Sequence, residues 1–388
     1  MIKTLRKLLY LLQLEEYQTA RFFTWLGKNK IEQLEERKGS LKLTPRIILS
    51  FFFSFFLIPF VGLPRGVGLT NNLLSFVFSF LGKIVILLAK IKLKSSPHLV
   101  KIVITGSYGK TTFKEMLSFV LESKYLVFKT PGNINTALGV AIEILKNLKS
   151  RHQILIIEAG AYQKGEIKEI CSLVKPSLGV ITIIGWMHLE RFETITQIRE
   201  TKFEIAPFIK DKNKFFYPKK DHQFIDFEKV VEEISRQLSI LILTAKKRIK
   251  KFSFPAHRLT IKKINPNLII LDDTYNSNPL GFEKAIEKLK SYKNYQKVVV
   301  TPGMIELGTK QADLNTQTAF EAAKVADIFM IVGETNKKVL EDGTKKANKK
   351  NLKIIFMDKD ENFEEKLSPF LKPPTAILLE NDLPDHYL

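Results

Sequence analysis

Cysteine is nearly absent: Cys171 stands alone among 388 residues. No disulfide can form within the chain, which fits a reducing compartment. Its setting, KGEIKEICSLV, reads as a helix with the thiol on the apolar face, a core position. No cluster of Cys and His has the spacing of a structural zinc site. Acidic residues are also few, 40 against 61 Lys and Arg, which leaves a net charge of +21. Such an excess suits nucleic acid, an anionic membrane surface or an anionic substrate. The chain has no aromatic–basic RNA-binding signature, so nucleic acid is not expected as a partner. With 45% hydrophobic and 26% charged residues, packed cores are readily built, and the length suits two or three domains.

Charge itself is missing from residues 47–64, IILSFFFSFFLIPFVGLP. Arg65 alone separates this run from GVGLTNNLLSFVFSFLG at 66–82, which continues through Lys83 into IVILLA. Each run approaches the roughly 20 residues that span a bilayer. Arg37, Lys38, Lys42 and Arg46 precede the pair, and Lys83, Lys90, Lys92 and Lys94 follow it. The positive-inside rule then places both ends in the cytoplasm, with a hairpin tip around Pro64 to Asn72. Pro59 and the polar Thr70-Asn71-Asn72 group leave a buried hairpin of a soluble domain as the alternative. Residues 1–30 mix apolar and basic residues and suit an amphipathic helix lying on a membrane surface. Residues 1–95 are therefore read as an amphipathic helix and membrane hairpin, with membrane lipid as a partner.

From Leu99 the pattern changes to α/β alternation. LVKIVIT, YLVFKT, QILIIEA and LGVITII read as strands with helical segments between them. The alternation lapses over 206–250, where polar and basic residues dominate. It resumes with NLIILDD, a helix from Pro279, KVVVT, a helix near 312–325, ADIFMIVGE, another helix, LKIIFMD and TAILLEN. Short apolar runs between helical periods imply a mostly parallel, doubly wound sheet. A boundary near Phe254 to Leu259 divides a central domain, 96–256, from a C-terminal one, 257–388.

TGSYGKTTFKEML, 105–117, follows a predicted strand and opens a predicted helix, the setting a phosphate loop needs. Gly106 and Gly109 let the backbone curl so that several N–H groups face one anion, and the helix N-terminus adds its positive end. Lys110 is placed to reach outer phosphates, and Thr111, followed by Thr112, offers a hydroxyl for Mg²⁺. The glycine spacing is a variant, because position 104 is Ile. Glu158 ends a strand, the edge where ligands bind in an open parallel sheet, and a carboxylate there suits Mg²⁺. His188 follows another strand as a ligand, a base or a capped surface residue. Asp272 and Asp273 end a strand before Asn276, Asn278 and Pro279, which suit either a helix cap or hydroxyl recognition.

These blocks together resemble the Mur ligase family, the ATP-dependent amide ligases of peptidoglycan precursor synthesis in bacteria. TGSYGKTT, TPGNINTALGV, IIEAGAYQKGEI, ITIIGWMHLERF, ETKFEI, FPAHRLTI, LDDTYNSNP, TPGMIELG and ADIFMIVGE resemble its blocks in order. DDTYNSNP and GMIELG point to the branch that adds D-alanyl-D-alanine to a UDP-N-acetylmuramoyl-tripeptide through an acyl phosphate. The resemblance implies a phosphate-loop central domain and a Rossmann-like C-terminal domain, with ATP and Mg²⁺ as cofactors. It implies Lys110, Glu158, His188 and Lys202 as catalytic residues, Lys202 as a carbamate. It implies that Gly106, Ser107, Gly109, Lys110, Thr111, Thr112, Arg258, Asp273, Tyr275 and Asn276 hold nucleotide, and that Asn133, Asn135 and Thr136 face the acceptor. Thr111, Glu158 and His188 are the implied metal ligands. The implied partners are a nucleotide-sugar peptide and D-Ala-D-Ala, at the cytoplasmic face of the membrane, with a closing hinge near 254–260. Two departures stand out. The family's UDP-gripping N-terminal domain has no visible counterpart, the apolar hairpin taking its place, and 206–253 is shorter than the family's matching part. A non-catalytic membrane-anchored scaffold and a related ligase with another acceptor are the alternative expectations.

Overall fold

The computed structural model describes every residue except Lys38, Asn133, His188, Lys359, Asp360 and Leu388. It divides into two compact units, Met1–Val85 with Leu383–Leu388, and Ile86–Asp382.

The first unit is helical: α1 (Ile2–Leu14), α2 (Thr19–Lys28), α3 (Pro45–Val61) and α4 (Leu63–Lys94), the last continuing into the second unit. Leu5, Leu8, Leu9 and Leu12 recur at helical spacing on α1. They are fully or almost fully buried with Phe22, Trp25, Leu34, Ile47 and Val67. The expected surface-lying amphipathic helix is therefore corrected: α1 turns its apolar face into the core of its own unit. The C-terminal tail closes this core. Tyr10 Oη donates to Asp385 Oδ2 at 2.8 Å, and Trp25 Nε1 donates to the His386 carbonyl at 2.8 Å.

The charge-free runs form α3 and α4, joined by Gly62 alone. The Thr44 side chain caps α3 by accepting from the Ile47 N–H at 3.2 Å, and Pro45 sits at its first position, where a missing N–H costs nothing. The hairpin tip is thus at Gly62 and not at 64–72. Two facts explain the correction. Pro64 lies in the first turn of α4, where it is tolerated. The polar Asn71 is satisfied inside the helix: its Nδ2 donates to the Tyr17 carbonyl at 2.7 Å and to Thr19 Oγ1 at 2.9 Å, and its Oδ1 accepts from Arg46 Nη2 at 2.7 Å. The outward faces stay apolar, with Phe52, Phe56, Phe60, Phe76 and Phe80 all well exposed. By length and composition α4 is able to cross a bilayer, whereas α3, with 17 residues, is a shorter apolar helix.

The second unit holds two sheets. The first contains β1 (Val100–Thr105), β2 (Val127–Lys129), β3 (Ile154–Glu158), β4 (Leu178–Ile181) and β5 (Phe215–Phe216). Their spatial order is 2-3-1-4-5 and all pairings are parallel. The intervening helices are α5 (Lys110–Leu121), α6 (Ala137–Asn147), α7 (Glu166–Val174), α8 (Leu189–Phe192) and α9 (Ile195–Phe203). Alternate strand residues serve opposite faces. Ile102, Ile104, Ile154, Ile156 and Val180 pack on Phe113, Leu117 and Leu121 of α5. Cys171 is buried on α7.

The stretch 206–250, where the alternation reads as lapsing, holds regular structure. Beyond β5 it carries two amphipathic helices, α10 (Phe227–Gln237) and α11 (Ile242–Ile249). Val231, Ile234, Ala245 and Ile249 recur at helical spacing and complete the core beside α5.

The second sheet contains β6 (Thr260–Asn265), β7 (Leu268–Asp273), β8 (Gln296–Thr301), β9 (Ile328–Val332), β10 (Lys353–Met357) and β11 (Thr375–Glu380). Its order is 10-9-8-11-7-6, parallel except for β6 against β7. One face packs on α12 (Pro279–Lys290), α13 (Gln311–Val325) and α14 (Lys337–Lys346), and the other carries α15 (Phe363–Leu367). Helices α13 and α14 meet closely at Gly343. A Cβ there would stand 2.4 Å from the Thr316 carbonyl oxygen and 2.8 Å from Ala319 Cβ. Gly343→Ala is expected to force the two helices apart and lower stability by about 1–3 kcal/mol, read as a shift in the urea unfolding midpoint of the full-length protein.

Candidate functional site

The first sheet directs the ends of β1, β2, β3 and β4 to one edge, and the loops that follow them build the site. The loop after β1 is pinned to the segment after β4. The Ser107 N–H donates to the Ile183 carbonyl at 2.9 Å. Ser107 Oγ donates to the Gly185 carbonyl and accepts from the Gly185 N–H, both at 3.0 Å. Thr182 Oγ1 donates to the Tyr108 carbonyl at 2.5 Å. Two glycines make this closeness possible. Gly106 has φ +140°, and a Cβ there would fall 2.0 Å from Thr182 Oγ1. Gly109 begins α5 with φ +75°, and a Cβ there would meet the Phe227 ring at 2.8 Å. No side chain caps the N-terminus of α5, so its first-turn N–H groups are left to face an anion.

Lys110 Nζ folds over this loop, donating to the Gly106 carbonyl at 2.8 Å and the Ser107 carbonyl at 3.3 Å. Burial draws its ammonium below the ordinary pKa; Glu158 opposes the shift and Arg258 adds to it. Thr111 Oγ1 donates to Glu158 Oε2 at 2.9 Å and accepts from Arg258 Nη2 at 3.2 Å. Glu158 is only 2% exposed. Thr112 is buried one position further along α5. Lys202, on α9, is also buried. Burial first, then the nearby Lys110 charge, pulls its amine down to about 7, against the pull of Glu166 and Glu204. A lysine on a charged helix reads as solvated, so the sequence alone gave no hint of this burial.

The linker reaches the same edge. His257 and Leu259 take positive φ, 62° and 53°, and the end of β7 holds them there. The Leu259 N–H donates to Asp273 Oδ1 at 2.9 Å, the Tyr275 N–H donates to the His257 carbonyl at 3.1 Å, and His257 Nδ1 lies 2.9 Å from Asp272 Oδ2. Between them, Arg258 stacks on the Tyr275 ring at 4.3 Å. Burial opposes ionisation of Asp272, yet hydrogen bonds from Lys262, Thr274 and His257 outweigh it and hold the carboxyl near about 2. Burial raises Asp273 to about 6 against the Leu259 N–H and Arg258.

The structure thus brings Gly106, Ser107, Gly109, Lys110, Thr111, Glu158 and Arg258 to one edge. Tyr275 joins through Arg258, Asp273 shapes the linker, and Asn276 is exposed nearby in sequence. Asn135 reaches the edge through its carbonyl, which accepts from the Gly160 N–H at 2.9 Å. The Thr136 hydroxyl caps α6, accepting from the Gly139 N–H at 3.3 Å. Asn278 caps α12. His188 and Asn133 lie outside the described residues. Among the described residues, no group of three His, Cys, Asp or Glu side chains is gathered to hold a metal ion.

Residues 104–267 match the Mur ligase middle domain, and residues 257–380 match the Mur ligase glutamate ligase domain. The chain belongs to the Mur ligase family. Among its relatives is the UDP-N-acetylmuramoyl-tripeptide–D-alanyl-D-alanine ligase of Bacillus subtilis (strain 168), 27% identical over 53% of this chain and 56% of that protein. The enzyme of the same name from Buchnera aphidicola (subsp. Acyrthosiphon pisum) is 26% identical over 66% of this chain and 70% of its own length. The chain therefore spans little more than half of the Bacillus relative. Of solved structures, MurF ligase from Thermotoga maritima in complex with ADP matches with a TM-score of 0.63 and 25% identity, covering 78% of this chain and 80% of that one. MurF from Acinetobacter baumannii shares the fold at a TM-score of 0.67, with 21% identity and 77% coverage of each chain.

In this member of the Mur ligase family the Lys202 amine has a clear pH signature. Its ordinary value is 10.5 and its native value about 7. Between these values the unfolded chain holds one more proton than the native chain, so stability rises with pH across the window and the rise vanishes below about 7. Lys202→Met is expected to remove that contribution. Urea unfolding at about pH 7.5 and about pH 9.5 then shows a smaller gain with pH in the variant than in the unaltered protein.

Proposed function

We propose that the chain is an ATP-dependent amide ligase that adds D-alanyl-D-alanine to a UDP-N-acetylmuramoyl-tripeptide-like acceptor. The observation that carries this reading is the meeting of Lys110, Thr111, Glu158 and Arg258 at the carboxyl edge of one parallel sheet. On this reading residues 96–256 are the ATP-binding domain and 257–388 the ligase domain. The uncapped start of α5 and the close-set backbone at Gly106 fit polyphosphate. The Thr111 hydroxyl and the Glu158 carboxylate are oxygen donors of the class that Mg²⁺ takes, so these residues fit the ion, with His188 as the third ligand. Bound there, Mg²⁺ supplies charge neutralisation across the phosphates.

A carboxylate does not yield to an amine, because the leaving group would be oxide. The acceptor carboxylate oxygen therefore takes the γ-phosphoryl group, and the bond to ADP breaks. The amine nitrogen of the dipeptide then attacks the acyl carbon, inorganic phosphate leaves, and the amine loses a proton. The protein's part is to position and to neutralise. Lys110 places positive charge over the loop and Arg258 places it at Thr111, delivered by the fixed linker. Lys202, half neutral near pH 7, is an amine able to take up CO₂ as a carbamate anion. A scaffold would not need a buried lysine beside Lys110, and this favours a catalyst over a scaffold.

Phosphate release by the full-length protein tests the reading. It is expected with UDP-muramoyl-tripeptide plus D-Ala-D-Ala and is expected to fall at least about a hundredfold in Lys110→Ala. Release with a different acceptor alone would reassign the substrate, and no release with any acceptor would leave the scaffold.

We also propose that α3 and α4 enter the cytoplasmic leaflet or span the bilayer, with lipid covering their exposed phenylalanines. An apolar surface of this extent is unusual on a soluble monomer, and lysine and arginine flank it. The full-length chain is expected to stay in carbonate-washed membranes. The triple variant Phe52→Glu, Phe56→Glu, Phe76→Glu is expected to move to the soluble fraction. Recovery of the unaltered protein in the soluble fraction would sink the idea.

A further inference from the structure

Among the described residues, Lys114 is the one lysine that belongs to the largest fully buried side chains. It lies one turn after Lys110 on α5, where i and i+4 residues share a face. Its Nζ donates to the Thr130 carbonyl at 2.8 Å and to the Gly132 carbonyl at 2.5 Å. It also stands 3.5 Å from Glu158 Oε2 and 3.8 Å from Glu115 Oε1. An ammonium has three protons, and here three directions are occupied: two carbonyls of the loop after β2 and the carboxylate at the end of β3. The Thr130 hydroxyl adds a second tie, accepting from the Glu158 N–H at 3.4 Å. The far end of the same loop is held to the segment after β3, where the Gly160 N–H donates to the Asn135 carbonyl. One side chain rooted in the phosphate-loop helix therefore fixes both the acid that bonds Thr111 and the loop that carries Asn135.

We propose that Lys114 is a positioning residue that fastens the 130–136 loop and the Glu158 carboxylate to α5, so that the acceptor side and the nucleotide side of the site keep one geometry. The naming of those two sides rests on the ligase reading; the fastening itself does not. Lys114→Met keeps the chain length and removes all three protons. It takes the ammonium donor from two carbonyls and leaves the buried carboxylate with the Thr111 hydroxyl, a loss that is costly where water is excluded.

Hydrogen exchange of the full-length, nucleotide-free protein separates the fastening from the ligase reading. In Lys114→Met the amides of Ile134, Asn135 and Thr136 are expected to exchange roughly tenfold faster, while amides of β8 and β9 keep their protection. Steady-state kinetics supply the second readout. Supporting residues of this kind typically cost 10–100-fold, so the acceptor KM is expected to rise about tenfold while ADP affinity measured without Mg²⁺ changes less than about twofold. Lys114→Gln keeps two N–H donors on a shorter stem. It is expected to restore loop protection in part, and it decides the question if the methionine variant does not fold. Unchanged loop exchange in the folded variants overturns the proposal. Faster loop exchange with no ligase activity in the unaltered protein leaves the fastening standing and removes the ligase reading.

Discussion

A carboxylate sealed inside a protein must be matched by hydrogen-bond donors, and the site is organised around one such group. Glu158 closes β3 at 2% exposure. Thr111 gives it a hydroxyl from the start of α5, and Lys114 gives it an ammonium from one turn further on. Two points on one helix therefore fix the acid against the loop that begins that helix. Remove the acid and Lys114 loses its nearest carboxylate and is left with Glu115 at 3.8 Å. Remove Lys114 and the acid faces burial with a hydroxyl alone. The desolvation penalty of a buried ion that loses its partner is several kcal/mol in general terms, so the two halves support one another.

The second constraint is backbone closeness. The loop after β1 and the segment after β4 share four short hydrogen bonds through Ser107, Thr182 and Gly185, and this sharing requires that position 106 have no side chain. The Ser107 hydroxyl, expected at the nucleotide, is already engaged in both directions by Gly185. Its contribution to an anion is then through its place in the loop and not through its oxygen. The linker follows the same logic. Left-handed backbone at His257 and Leu259 is unfavourable by itself, and the end of β7 holds it in place. The consequence is directional: Arg258 is delivered to Thr111 on a short, restrained segment. A hinge at this point would have to release the Asp272 and Asp273 contacts together.

Much of this was legible in the chain. Buried strands betray themselves as short β-branched runs, so β1, β3, β4, β7, β8, β9 and β11 stood out, and the strand–glycine–helix order fixed the phosphate loop. Three things were not legible, each for a physical reason. The hairpin tip was read around Pro64 to Asn72, a stretch that holds proline, glycine and polar residues, which signal turns. In the fold Asn71 is satisfied by Tyr17, Thr19 and Arg46, partners that no local pattern reveals. Helices α10 and α11 were hidden because lysine and glutamate on the wet face outnumber the four buried apolar residues. Lys114 was hidden because Lys-Glu in a helix looks solvated. A signal was present, since Lys114 falls on the stripe with Leu117, Ser118 and Leu121 and not on the polar face.

The N-terminal unit follows a different rule. In it α1 and α2 satisfy their apolar faces against one another and against the first residues of α3 and α4, and the C-terminal tail seals that core through Asp385 and His386. The remaining lengths of α3 and α4 find no such partner within the unit. A chain able to build a sealed helical core from α1, α2 and its own tail did not lack polar residues for the hairpin. It placed them at Arg46, Thr70 and Asn71, on the inward side, and left phenylalanine outward. Asn71 finds its partners on that inward side while phenylalanine is left outward, and it is this outward apolar face that the lipid proposal for α3 and α4 has to account for.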